Sequence, residues 1–77
     1  MSGRKLFEQV VDRTGLASFI GPGAVERALA NVGASPEEAT FGDFRRALPQ
    51  LHKRMSIYLK PPELDERLRA IEQLLGM

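Results

Sequence analysis

Residues 40–62 read TFGDFRRALPQLHKRMSIYLKPP. Phe41, Phe44, Leu48, Leu51, Met55 and Leu59 recur in this stretch at intervals of three and four. That spacing puts them on one face of an α-helix. Thr40 at the head, with Asp43 three residues on, has the form of a capping box, and Lys60-Pro61-Pro62 ends the pattern. Pro49 interrupts it, removing one backbone hydrogen bond and disfavouring helical geometry at Leu48. The apolar stripe nevertheless keeps its phase across Pro49. The pattern therefore predicts one long, kinked helix in preference to two helices with a tight joint.

The flanking sequence has the same period. Phe7, Val10, Val11 and Thr14 form one face of a first helix starting near Arg4, and Gly15 is a natural left-handed terminator. An apolar connector follows, with Leu16, Ala17, Phe19 and Ile20 expected to pack inward. A second helix begins at Gly21-Pro22-Gly23, where proline suits the first turn because its missing N–H has no partner to lose. Val25, Ala28, Leu29 and Val32 are its stripe and Gly33 its stop. Ser35, Pro36 and Glu38 predict a short capped turn. After Pro62, Leu64, Leu68, Ile71 and Leu75 define the last helix, with Gly76 just past its end. No segment alternates with a period of two. The expectation is an all-α fold, a compact bundle of four to five short helices in a single domain over residues 1–77, with excision from a larger protein left open.

Composition narrows the function. The chain has 77 residues, of which 43% are hydrophobic and 27% charged, values typical of a folded globular domain rather than a disordered one. It has no cysteine and one histidine, so a disulfide framework, a thiolate metal site and a cysteine nucleophile are excluded, and no metal or cofactor is expected. No run approaches the roughly 20 apolar residues of a membrane span, and MSGRKLFEQVV lacks the apolar core of a signal peptide. A cytoplasmic setting is the expectation. Eight Arg against three Lys, with frequent Ala, Leu and Gly, suggest a bacterial source.

Catalytic readings find few residues. His52 falls off the apolar stripe among Arg45, Arg46, Lys53 and Arg54, with no carboxylate within a helical turn to orient it as a base. Glu8 and Asp12 lie four apart on a polar face, where nothing buries them to separate their pKa values. ASPEEATFGDF lacks the alternating oxygen ligands of a calcium loop. None of Ser2, Ser18, Ser35 and Ser56 has the context that carries a prosthetic arm. Gly21 and Gly23 put backbone amides at a helix start, as a phosphate-binding turn requires, but a capped helix start accounts for the same residues. The expectation is a non-enzyme with no small-molecule substrate evident.

Charge is unevenly distributed although the net charge is only +1. Residues 43–60 hold five basic residues against one acid, while 63–72 and 26–38 each carry net −2. Three roles compete for the basic helix: pairing with Glu63, Glu66 and Glu72 of the same chain, facing an acidic partner, or contacting phosphates. Phe19, Ile20, Met55, Ile57, Tyr58 and Leu59 include more apolar residues than one stripe can hide. An aromatic or methionine exposed near arginine is a common interface composition. The reading adopted is a protein–protein interaction module, regulatory or signalling in role. It binds a partner or itself through the helix around 43–60, with Arg45, Arg46, Lys53, Arg54, Met55 and Tyr58 as contact residues. The alternative is a small helix-turn-helix-like DNA-binding domain using the same basic helix. Against that alternative, Pro49 falls inside the basic stretch, and Gln50 is the only base-reading amide there.

Overall fold

The computed structural model describes residues 3–77; Met1 and Ser2, the first two residues of the expected 1–77 domain, lie outside the described residues. Four helices follow in order: α1 (Gly3–Thr14), α2 (Gly21–Ala30), α3 (Phe41–Tyr58) and α4 (Glu63–Leu74), with no strand among the described residues. The fold is an all-α bundle of four short helices. The helices pack in a ring: α1 against α2 and α4, and α3 against α2 and α4.

Each apolar stripe supplies the core. Leu6, Phe7 and Val10 of α1, Val25, Ala28 and Leu29 of α2, Phe44, Ala47, Leu48, Leu51 and Met55 of α3, and Leu64, Ile71 and Leu75 from the α4 segment form one buried cluster. Thr14 completes the α1 stripe and is fully buried. Its hydroxyl donates to Val11 O at 2.7 Å and accepts from Leu16 N at 3.2 Å, so the polar group is satisfied without leaving the core.

The punctuation acts as the sequence predicts. Gly15 and Gly33 adopt φ of +68° and +75° after α1 and α2, a region that other residues enter only at a cost. Gly21 has a different reason to be glycine. A Cβ there would lie 3.2 Å from Val11 Cγ1 and 3.5 Å from Thr14 Oγ1, so the start of α2 comes close against α1. The α3 capping box is present in both directions: Asp43 N donates to Thr40 Oγ1 at 3.2 Å, and Thr40 N donates to Asp43 Oδ2 at 3.0 Å. The Ser35 turn, by contrast, is held by backbone alone, with Glu38 N and Ala39 N donating to Ser35 O. A single helix runs through Pro49.

Three apolar residues, Ala17, Phe19 and Phe41, depart from the expectation. Phe19 is 85% exposed, so the connector does not pack inward as a unit. Ile20 N and Gly21 N both donate to Ala17 O, closing a tight turn, and a turn cannot point all its side chains to one side. Leu16 and Ile20 are half-buried, whereas Ala17 and Phe19 face out. Phe41 heads the α3 stripe yet is 43% exposed. A side chain at a helix start leans back over the preceding loop instead of over a packed turn.

Candidate functional site

The basic residues of α3 do not form one surface. Arg45 reaches the end of α4, where its Nε and Nη2 donate to Leu75 O at 3.1 and 2.7 Å. Arg46 is paired with Asp43 one turn back. That pairing also bears on the cap. Asp43 is held below the usual carboxylate range, first by the Thr40 backbone N–H and further by the Arg46 guanidinium. Lys53 is exposed and shares the outward face with Arg46, Gln50 and Ile57, which follow one another at spacings of four, three and four.

Met55 is a correction to the expected contact set. It is 0% exposed and belongs to the centre of the core, so no partner can touch it in the folded chain. Its place on the Leu48–Leu51–Leu59 stripe decides this: three- and four-residue spacing turns it toward the other helices. Tyr58, three residues on and off that stripe, is 51% exposed.

Arg54 and Tyr58 instead meet residues from the other end of the chain. A cleft of about 190 Å³ lies between the start of α2 and the end of α3. Phe19 and Ile20 from the connector, Gly23, Ala24 and Arg27 from α2, and Arg54, Ile57 and Tyr58 from α3 line it. Its apolar wall is exposed, with Ile57 at 72% alongside Phe19 and Tyr58. Two guanidinium groups line it and no carboxylate does. Neither Arg27 nor Arg54 belongs to an ion pair among the described residues. Arg54 Nε is buried and has no hydrogen-bond partner among the described residues.

The start of α2 also borders the cleft, through Gly23. Ile20, at the N-cap position, provides no side-chain cap, and Pro22 has no N–H. Ala24 N donates back to Ile20 O at 3.1 Å. The Gly23 amide between them has no helical carbonyl to reach. Space is open on that side, since a Cβ built on Gly23 would have nothing within 4 Å.

Sequence reasoning missed Arg27 and the outward setting of Phe19, and read Gly23 as a helix start without placing it beside α3. Gly23 and Arg27 are four residues apart and lie off the Val25–Ala28–Leu29 stripe, so their shared face was readable. What brings that face against α3 is the α2–α3 packing, which no local pattern encodes.

The remaining candidates are weaker. His52 is exposed, beside a groove of about 310 Å³ that also holds Arg45, Glu72 and Met77, so that groove contains both signs of charge. Glu8 and Asp12 are both exposed on α1. No described helix is long and apolar enough to cross a membrane. No protein-family model, curated protein or solved structure matches the chain.

Proposed function

We propose that the chain is a non-enzymatic protein-interaction module, regulatory or signalling in role, that binds another protein or a second copy of itself. The contact surface is the C-terminal half of α3 joined by the α1–α2 turn. One observation carries this reading: Phe19, Ile57 and Tyr58, three large apolar side chains from two distant segments, stand exposed around one cleft. Isolated exposed apolar residues are ordinary, but a cluster rimmed by arginine is the composition of a binding hot spot. A cytoplasmic setting accompanies the reading on composition alone.

The test compares the wild-type chain with Ile57→Asp and Tyr58→Asp, and with Glu8→Gln on α1 as the control. Sedimentation over a concentration range reads self-association, and cross-linking capture reads other partners. The expected result is an association made by wild type and by Glu8→Gln and lost in both α3 variants. An association that all four chains share equally overturns the assignment of the surface. Duplex DNA that shifts the amides of 43–60, with steep weakening by salt, replaces the reading with the nucleic-acid one.

A further inference from the structure

The cleft has a charge preference that its apolar wall does not explain. Among the described residues Arg27 and Arg54 both line it without an ion-pair partner, and no described acid lines it to neutralise them. Elsewhere the chain does consume its arginines: Arg4 pairs with Glu37, Arg46 with Asp43 and Arg67 with Glu63. Arg45 and Arg13 donate to the backbone carbonyls of Leu75 and Ala70. Arg27, Arg54 and the exposed Arg69 are left over from this pattern, and of the three Arg27 and Arg54 line the cleft. Gly23, in the first turn of α2, lines the same cleft, so two arginines and a helix start border one small volume.

Resting on the interaction-module reading, we propose that the cleft takes an acidic side chain of the partner flanked by an apolar one. The carboxylate lies between the Arg27 and Arg54 guanidiniums, and the apolar neighbour rests on Phe19 and Ile57. Charge complementarity selects the acid, because a basic or neutral polar group entering the cleft leaves two guanidiniums facing an uncompensated neighbour. Size selects a single side chain, since about 190 Å³ holds one carboxylate-bearing residue and no folded element. The apolar wall selects a protein segment over a bare ion, because a free anion makes no use of Ile57 or Phe19. Lys53, exposed on the same helix, favours a further acid on that side of the segment.

The experiment titrates the full chain, followed by backbone-amide NMR, with three probes. They are a blocked hexapeptide of alternating aspartate and leucine, its asparagine–leucine counterpart, and inorganic phosphate. The acidic peptide is expected to shift Gly23, Arg27, Arg54 and Tyr58. The neutral counterpart is expected to bind about tenfold more weakly, the loss typical of one charge-assisted hydrogen bond. Arg27→Gln is expected to weaken the acidic peptide by a similar factor and to leave the neutral one unchanged. Because Arg27 is exposed, this variant keeps the fold; Arg54→Lys, which retains charge and loses the fork, gives a second reading. Equal binding of both peptides overturns the carboxylate assignment and leaves the apolar surface standing. Tighter binding of phosphate than of the acidic peptide overturns it in favour of a phosphate site. Absence of shifts at millimolar acidic peptide overturns it too. In that case an Ile57→Asp chain that still loses its captured partner shows that the module reading survives the failure.

Discussion

Arg45 on α3 caps the far end of α4: its Nε and Nη2 both donate to the carbonyl of Leu75, at 3.1 and 2.7 Å. The last carbonyls of a helix have no partner within it, and a cation there also meets the negative end of the helix dipole. The bond spans thirty residues of sequence and joins α3 to α4, which pack less extensively than α2 and α3 do. A basic residue that reads as binding surface is therefore part of the scaffold.

Arg45→Met keeps most of the stem and removes both donors. The expected cost is about 1 kcal/mol, the usual net value of such a bond, read as a lower urea midpoint at unchanged slope. Association through the cleft should be unchanged, because Arg45 lies on the other side of α3 from Arg54. A loss of binding without a loss of stability would return Arg45 to the contact surface.

The α3 cap gives a pH prediction. Thr40→Ala removes the hydroxyl that accepts from Asp43 N and should cost about 1 kcal/mol by denaturant unfolding. The partner in the box, Asp43, has a folded-state pKa below the ordinary 3.8. Its contribution is therefore complete above that ordinary value and is lost as pH falls below it, through the folded value. Wild type should destabilise on acidification in this range more steeply than Asp43→Asn. Parallel stability curves for the two chains would show that the carboxylate's charge contributes nothing to the cap.

The helices were legible because each bears its own evidence. The Thr40–Asp43 box, the Gly15 and Gly33 terminators and the four apolar stripes are all local signals, and local signals survive folding. The phase of the stripe across Pro49 was enough to expect one helix there. The cleft was only half legible. Tyr58 and Arg54 came from α3 itself, but Gly23, Arg27 and the outward Phe19 depend on where α2 docks, and that is tertiary. Met55 was misread for a related reason. Its chemistry suits an interface as well as a core, and here its helical register places it in the core.

That register makes a sharp contrast within one turn of α3. Met55→Ala empties a fully buried site and should cost about 3 kcal/mol. This is a large share of the roughly 5 kcal/mol or more expected of a chain this small. Tyr58→Ala, half exposed, should cost under about 1 kcal/mol yet weaken partner association. Thermal unfolding and the capture comparison, run on both variants, should rank them in opposite order. The same rank in both assays would mean that Tyr58 acts through stability and not through contact.

Gly23→Ala separates stability from binding in the other direction. Gly23 lies in the first turn of α2 without a positive φ, and a Cβ built there meets nothing within 4 Å. Alanine loses less conformational freedom than glycine on entering a helix, so the variant should gain about 0.5 kcal/mol and a slightly higher Tm. The added methyl group, however, stands on the wall of the cleft beside Arg27. If a partner's side chain enters there, the more stable protein should be the weaker binder, and the shifts at Arg54 and Tyr58 should need more acidic peptide to saturate. A variant that gains stability and binds as wild type does would move the contact outward, onto Ile57 and the exposed face of α3 alone.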